Sequence, residues 1–300
     1  MSRMAVSTYP ATARDWLRGA RPHTWANAFA PVIVGTGAAS WSSGANLFRA
    51  FLALVVAWAL IVGVNYANDY SDGIRGTDDD RSGPVRLTGS GLARPAHVKR
   101  AAFLAFGVAG VAGVALSLLS AWWFILLGAL CIAAAWFYTG GKNPYGYRGL
   151  GEVAVFIFFG LVAVLGTQYT QAGVVSWLGL VCAIAIGGIS AAVNLANNIR
   201  DIPSDNEAGK ITLAVRLGQQ RSRSLFAVLS FLPAVASLIL ICAWWPLAVG
   251  VLSAVLVLPG VRTVLSGARG PALIPVLGGN GRAMLIWSVV TALLLGLGSA

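Results

Sequence analysis

Charged residues are scarce in this sequence, and acidic residues are the scarcest of them. Only 10% of the 300 residues are charged, whereas 57% are hydrophobic and the mean hydropathy is +0.76. Soluble domains average roughly 25% charged residues. The composition therefore excludes an ordinary water-soluble domain, and the many apolar runs predict an integral membrane protein that crosses the bilayer several times.

Cysteine and histidine are also rare, with three and two residues. Cys131, Cys182 and Cys242 all lie inside apolar runs and show no metal-ligand spacing, so we expect ordinary lipid- or core-facing side chains. Residues 1–23 lack the apolar segment of a cleavable signal peptide, and we expect none. Trp16, among charged neighbours, predicts a short interfacial helix there.

Nine apolar segments are candidates for helices that cross the bilayer, which takes about 20 residues per helix. They are 24–41, 49–67, 101–120, 122–139, 153–170, 174–196, 224–242, 245–261 and 283–299. We therefore predict an all-α membrane protein with nine transmembrane helices in a single polytopic domain over residues 1–300. Residues 1–23 would be an N-terminal interfacial segment, and motif loops would lie at 68–99, 140–152 and 198–221.

The charges are distributed unevenly between the two sides of the predicted membrane. If the sides alternate from the N-terminus, every Lys and Arg except Arg49 falls on the N-terminal side. The positive-inside rule makes that side cytoplasmic. The net charge of +11 therefore reflects topology, and we expect membrane lipid and no nucleic acid as partners. All acidic residues fall on the same side, which predicts that the chemistry lies at the cytoplasmic face.

Half of the ten acidic residues lie in one stretch, NDYSDGIRGTDDDRSGPVRLTGSG, over residues 68–91. These residues are Asp69, Asp72, Asp78, Asp79 and Asp80. The glycines of this stretch suit a loop that closes over a ligand. A polar pattern in this stretch recurs 129 residues later, which indicates an internal duplication. The matching positions are Asn65, Asn68, Asp69 and Asp72 in the first copy, and Asn194, Asn197, Asn198 and Asp201 in the second.

The spacing i, i+3, i+4, i+7 places each polar set on one face of a helix. Gly73 and Gly76 in the first copy, and Pro203 in the second, predict that each helix ends just beyond its polar face. Two facing clusters of carboxylates repel by roughly 4 kcal/mol per pair at 4 Å, so they need a cation. Mg²⁺ suits oxygen ligands and substrate phosphates, and nearby Arg81 and Lys210 suit phosphate oxygens. We interpret the clusters as two halves of a site for Mg²⁺ and a di- or triphosphate.

A diphosphate bound at a membrane boundary suggests a lipid substrate, and prenyl diphosphates are the obvious class. Four segments of the chain then resemble the UbiA superfamily of intramembrane aromatic prenyltransferases. They are RPHTWANAFAPVIVG (21–35), NDYSDGIRGTDDDRSGPVRLTGSG (68–91), YTGGKNPYGYRGLGE (138–152) and NNIRDIPSDNEAGKITLAVRLG (197–218). Within the superfamily they are most similar to the branch that prenylates 1,4-dihydroxy-2-naphthoate. Gly76 replaces the last Asp of the general motif NDxxDxxxD, and Asp78 follows two residues later.

The resemblance implies nine helices around a central chamber, closed by cytoplasmic cap loops, in the inner (plasma) membrane of a bacterium. The active site would face the cytoplasm. The implied reaction is Mg²⁺-dependent transfer from a polyprenyl diphosphate to 1,4-dihydroxy-2-naphthoate with decarboxylation, giving a demethylmenaquinol.

The resemblance also implies roles for individual residues, in four groups. The catalytic residues would be Asn68, Asp69, Asp72 and Asp201. The metal ligands would be Asn68, Asp72, Asp78, Asn197, Asp201 and Asp205. Diphosphate would bind Arg81, Lys142 and Lys210. The acceptor would bind Arg21, Tyr138, Tyr145 and Arg148.

Other functions remain open at this point. Another aromatic acceptor, such as 4-hydroxybenzoate or homogentisate, fits the same superfamily. A secondary transporter is a distant alternative, because such proteins usually carry ionisable groups within their spans, and the interiors of these spans have none. A CDP-alcohol phosphotransferase would need D-G-x-x-A-R, whereas Asp72-Gly73 is followed here by Ile74-Arg75-Gly76.

The charge distribution predicts the outcome of cysteine labelling. In a variant without its native cysteines, a membrane-impermeant thiol reagent applied from the cytoplasmic side should label Asn143→Cys and Asn206→Cys but not Ser43→Cys. Labelling of Asn206→Cys from the outside alone would contradict the topology, because the two half-sites could not then share one diphosphate.

Overall fold

The computed structural model describes residues 11–76 and 86–299, and within those ranges the chain forms helices and no strands. The all-α membrane class is therefore confirmed. The helices are α1 Ala13–Gly19, α2 Ala26–Trp41, α3 Leu47–Arg75, α4 Pro95–Leu119, α5 Phe124–Phe137, α6 Gly151–Ala172, α7 Trp177–Arg200, α8 Ile202–Glu207, α9 Leu213–Leu240, α10 Trp245–Leu265 and α11 Gly270–Gly298.

In the described part of the chain, seven helices are long and apolar enough to cross a membrane: α3, α4, α6, α7, α9, α10 and α11. The first and fourth predicted spans correspond to α2 and α5, which have 16 and 14 residues. Both are shorter than the roughly 20 residues that a bilayer requires. Nine spans therefore remain a prediction.

Several helices extend beyond the apolar segments that predicted them. The helix α3 continues to Arg75, α7 continues to Arg200, and α11 begins at Gly270 rather than near residue 283. The polar turns at the ends of α3 and α7 remain helical, so the hydropathy of these segments marks only part of each helix. The predicted motif loops 68–99 and 198–221 are correspondingly shorter, and most of the second one is helical.

The two helices with polar faces end where the sequence predicted. Gly76 follows α3 in the left-handed conformation at φ 73°, and its N–H returns to the carbonyls of Asp72 and Gly73. Glycine adopts this conformation without steric cost, which makes it a common helix terminator. After α7, Asp201 leaves the helical conformation and Pro203 opens the short helix α8. Both polar faces therefore lie within the last three turns of long helices.

The helix α7 lies at the centre of the largest apolar cluster, to which it contributes Ile186, Ile189, Leu195 and Ile199. Its neighbour α6 is wound as a π-helix over Phe156–Leu165. A Cβ atom added at Gly160 would lie 2.5 Å from the Cα of Gly187, so the two helices are in close backbone contact. Small residues allow such close approach between membrane helices. This packing fixes the position of the polar end of α7.

A second apolar cluster holds the polar end of α3. It joins Tyr66 and Ala67 of α3 to Leu87 and to Val98 and Phe106 of α4. The segment after residue 85 is thus packed against α3, close to the acidic residues that follow Tyr66.

Candidate active site

A cavity of about 1010 Å³ lies among α2 to α7 and the start of α11. Most of its wall is apolar, with residues such as Val56, Leu60, Phe158 and Val162. The polar side chains of the wall come mainly from the ends of α3 and α7 and from the connections beside them. They include Arg21, His23, Asn65, Asn68, Asp72, Arg86, Tyr138, Thr139, Tyr145, Asn194, Asn197, Asn198, Arg200 and Lys210. The cavity therefore has an apolar body and one polar end.

The last turns of α3 contribute Asn68 and Asp72 to the polar end. The carboxylate of Asp72 is only 3% exposed, accepts a hydrogen bond from Tyr147 Oη at 2.7 Å, and lies 3.9 Å from Arg86 Nη2. The Oδ1 atom of Asn68 accepts a hydrogen bond from the Thr139 hydroxyl at 2.8 Å. Both predicted site residues are thus held by side chains from other segments.

Asp69 occupies a different position from its neighbours. It is fully buried and is not part of the cavity wall. Its two carboxylate oxygens accept the backbone N–H groups of Leu87 and Thr88, each at 2.8 Å. These contacts give Asp69 a structural task, because they hold the segment that carries Arg86 against α3. Its predicted catalytic role stays a prediction, and the geometry favours positioning instead.

The end of α7 contributes Asn194, Asn197 and Asn198 to the wall, whereas the acids Asp201 and Asp205 lie behind it. Arg200 binds Asp201 with two hydrogen bonds of 2.7 and 2.8 Å. Such bidentate pairs are strong and geometrically specific.

Lys210 pairs with Asp205, the second acidic residue near the end of α7. Its Nζ atom lies 3.4 Å from Asp205 Oδ1. Both cationic partners, Arg200 and Lys210, line the cavity, so they extend between the second acidic motif and the ligand space.

Tyr147 connects the two polar helix ends. Its hydroxyl donates to Asp72, and its ring lies 5.4 Å from Lys210 Nζ and 5.4 Å from Arg75 Cζ. A cation over an aromatic face is attracted by the ring quadrupole. Sequence reasoning missed Tyr147 although it lies in the segment 138–152, because no spacing rule distinguishes it from the other tyrosines there.

The structure does not bring Lys142 or Arg148 to the cavity. Both side chains are exposed, and neither belongs to the wall. The connection that carries them is fixed by Arg75, whose guanidinium donates to the carbonyls of Thr139 and Gly141. Their predicted roles with diphosphate and acceptor thus have no support from the geometry. Asp78 and Arg81, also predicted site residues, lie outside the described residues.

Tyr138 and Tyr145 do line the cavity, with their rings edge to face at 5.5 Å between centroids. The Tyr145 hydroxyl donates to the carbonyl of Ala134 at 2.8 Å. Burial raises the pKa of Tyr145 to about 12, so it remains a neutral phenol at physiological pH.

A cationic corner at the wall consists of Arg21, His23 and Arg200. Burial lowers the pKa of His23, and the positive charges of Arg21 and Arg200 lower it further. His23 is therefore neutral at pH 7, and the two guanidinium groups carry the positive charge of the corner. Arg21 was predicted as a site residue, whereas Arg200 was not.

Comparison with known proteins decides the family. The UbiA prenyltransferase family matches residues 28–269. The chain belongs to the UbiA prenyltransferase family. It is 56% identical over 282 residues to the 1,4-dihydroxy-2-naphthoate octaprenyltransferase of Mycobacterium tuberculosis, covering 94% of this chain and 97% of that protein. The enzyme of the same name from Escherichia coli is 41% identical over 221 residues, with 71% and 72% covered.

The fold matches solved structures of the UbiA family. A UbiA homolog from Archaeoglobus fulgidus, bound to DMAPP and Mg²⁺, superposes with a TM-score of 0.68 over 94% of this chain and 99% of that one. The sequence identity is 15%, so this likeness shows the fold alone.

The oxygen donors at the polar end fit a divalent cation. Asn68 and Asp72 line the cavity from α3, and Asn197 lines it from α7. Mg²⁺ is a hard cation that takes oxygen ligands, commonly one or two carboxylates together with substrate phosphates. Over residues 11–76 and 86–299, however, no three His, Cys, Asp or Glu side chains form one dense group. The donors of this UbiA-family site are instead divided between two helix ends.

The bridging contacts of Tyr147 can be tested by removing its hydroxyl alone. We expect Tyr147→Phe to lower turnover about tenfold, because a hydrogen bond to a charged group contributes roughly 1.5–3 kcal/mol and orients Asp72. Tyr70→Phe is the matched control, since the Tyr70 ring stacks on Trp136. The measurement is steady-state prenyl transfer in detergent, and equal rates for Tyr147→Phe and Tyr70→Phe would contradict a bridging role.

Proposed function

We propose that this UbiA-family enzyme transfers a polyprenyl group from a polyprenyl diphosphate to 1,4-dihydroxy-2-naphthoate. The acceptor carboxylate leaves as CO₂, which gives a demethylmenaquinol. The observation that carries the proposal is the high identity, over nearly the whole chain, to the mycobacterial 1,4-dihydroxy-2-naphthoate octaprenyltransferase. The cavity supports it, because an apolar body with one polar end suits a lipid diphosphate.

The diphosphate would bind between the ends of α3 and α7. Three cationic side chains reach the cavity wall there: Arg86, Arg200 and Lys210. Arginine forks and lysine ammonium groups are the usual partners of phosphate oxygens. Of the residues predicted for this role, Lys210 has the support of the geometry. Arg86 and Arg200 would bind the diphosphate instead of Lys142, which was expected to do so.

Mg²⁺ would be held by Asn68 and Asp72 from α3 and by Asn197 from α7, which all line the cavity. We include Asp201, whose carboxylate binds Arg200 behind the wall, on the sequence motif. Asp205 belongs to the same end of the site, and we include Asp78 on the sequence motif alone. When bound, the metal neutralises the negative charge that builds up on the departing diphosphate. The residues of the chain do the remaining work, since they place the diphosphate at the polar end and direct the prenyl chain into the apolar body.

The apolar body of the cavity would protect the reacting carbon. Departure of diphosphate leaves an allylic cation, which water would quench. Phe158, Phe159 and Tyr138 line the cavity, and aromatic faces stabilise a nearby cation. A wall that excludes water also prevents hydrolysis.

The cationic corner of Arg21, His23 and Arg200 suits the carboxylate of the acceptor. Arg21 lines the cavity, whereas Arg148 is exposed and lies away from it. We therefore assign the orientation of the acceptor carboxylate to Arg21. The charge distribution of the sequence further supports an active site that faces the cytoplasm.

Metal dependence follows from the buried acids of both motifs. EDTA should abolish turnover and Mg²⁺ should restore it. Asp72→Asn and Asp201→Asn should each lower kcat by at least about a hundredfold. An amide carries no negative charge to offset the positive charge of Mg²⁺, and it binds the ion more weakly than a carboxylate does. Glu207→Gln, at an exposed acid of α8, is the matched control and should keep nearly full activity. Wild-type rates in Asp72→Asn and Asp201→Asn would exclude the two-motif site.

The acceptor can be identified by direct competition. With geranylgeranyl diphosphate and equal amounts of 1,4-dihydroxy-2-naphthoate and 4-hydroxybenzoate, we expect a prenylated, decarboxylated naphthoquinol, detected by mass spectrometry after oxidation. Arg21→Ala should raise the acceptor KM about tenfold or more and leave the donor KM nearly unchanged, whereas Arg148→Ala should change neither. A preference for 4-hydroxybenzoate would contradict the proposed acceptor but would leave the family assignment unchanged.

A further inference from the structure

Glu152 is a buried carboxylate that the proposed function does not use. It lies in the first turn of α6 and is 4% exposed. A carboxylate in such a place needs partners, since burial of an unpaired charge is strongly unfavourable. The neighbours of Glu152 are therefore informative about its task.

Those neighbours are the amides of the second polar stripe. The Oε1 atom of Glu152 accepts a hydrogen bond of 2.6 Å from Asn198 Nδ2. The amide of Asn194 interacts with the same carboxylate, although its Nδ2 completes no hydrogen bond with any residue in the described ranges. Asn194 and Asn198 both line the cavity, while Glu152 stands behind them. Glu152 thus contacts the ligand space through Asn198, and the ammonium group of Lys210, which also lines the cavity, interacts with its charge.

A carboxylate decides which way an asparagine side chain faces. The side-chain amide has an NH₂ group that only donates and an oxygen that only accepts, and they point in different directions. An ionised carboxylate only accepts, so it draws the NH₂ group towards itself and turns the oxygen away. For Asn194, the Tyr138 hydroxyl lies 3.5 Å from Oδ1, which agrees with the same orientation.

We propose that Glu152 is a positioning residue for the aromatic acceptor. By holding the NH₂ group of Asn198 towards α6, it makes this wall present the Asn198 amide oxygen to the cavity. That oxygen accepts a hydrogen bond from a ring hydroxyl group of the acceptor. The chemistry favours a hydroxyl over the diphosphate, because a diphosphate oxygen and an amide oxygen both lack a proton to donate. This inference rests on the proposed function for the identity of the acceptor.

The test combines a variant with acceptor analogues. In Glu152→Gln the new amide can offer Asn198 either an oxygen or an NH₂ group, so the orientation is no longer imposed. We expect the KM for 1,4-dihydroxy-2-naphthoate to rise about tenfold, the worth of one hydrogen bond. The donor KM and the Mg²⁺ concentration for half-maximal rate should stay within about twofold of the wild type, and Glu207→Gln should match the wild type throughout.

The analogues separate positioning from a merely structural role. 1-Hydroxy-2-naphthoate and 4-hydroxy-2-naphthoate each lack one ring hydroxyl, and their competitive inhibition constants can be measured for both enzymes. One analogue should bind wild type and Glu152→Gln equally well, because it lacks the hydroxyl that the Asn198 amide contacts. The other should show the same tenfold penalty as the substrate. Asn198→Ala, which removes an amide oxygen, should give the same pattern and serves if Glu152→Gln does not fold.

Two outcomes would overturn the inference. An unchanged acceptor KM together with a raised donor KM or Mg²⁺ requirement would assign the Asn198 amide to the diphosphate and metal. An equal penalty for the substrate and both analogues would make Glu152 purely structural. Failure of the proposed function looks different, because the wild type itself would then not prenylate 1,4-dihydroxy-2-naphthoate.

Discussion

The burial of carboxylates at the ends of two membrane helices is the constraint on which the site depends. Asp72 and Asp201 are 3% and 2% exposed, and a buried charge is tolerated only when it is paired and hydrogen-bonded. The structure supplies Arg86 near the first acid and Arg200 on the second. Each of these arginines also lines the cavity. The requirement to neutralise the acids therefore places positive charge where a diphosphate would bind.

Rigid helices make this arrangement possible. The helix α7 lies at the centre of the largest apolar cluster, and its close contact with α6 fixes the position of α7 along its axis. On the other side, Asp69 fastens the segment of Leu87 and Thr88 to α3. Tyr147 then joins both halves through Asp72 and Lys210. The site is thus assembled from segments far apart in the chain, and each is held by contacts outside the ligand space.

Local rules in the sequence predicted the parts of the site that lie on one helix. The spacing of Asn68 and Asp72 gave a common face, and Gly76 and Pro203 marked the ends, because periodicity and helix termination are set by nearby residues. Contacts between segments were not predictable in this way. Tyr147 was missed because its partners, Asp72 and Lys210, lie in other segments. Arg200 was missed because its place in the cavity wall depends on how α7 packs against its neighbours.

Two basic residues that were predicted at the site receive no support from the geometry. Lys142 and Arg148 were predicted at the site because the family resemblance implied roles for them, yet both are exposed. Positive charge on the cytoplasmic side of a membrane protein also has a topological cause, so it is weak evidence for a binding role. The nine predicted spans stay a prediction, because the apolar runs that became α2 and α5 form helices shorter than a bilayer requires.

The central claim is that the ends of α3 and α7 hold one metal–diphosphate group between them. Crystals grown with a prenyl thiodiphosphate and Mn²⁺ in place of Mg²⁺ test it most directly, through the anomalous scattering of manganese. The account predicts manganese within coordination distance of Asp72 and of Asp201, with the diphosphate between them and the prenyl chain in the apolar cavity. Manganese and diphosphate bound at one helix end alone, or outside the cavity, would contradict it.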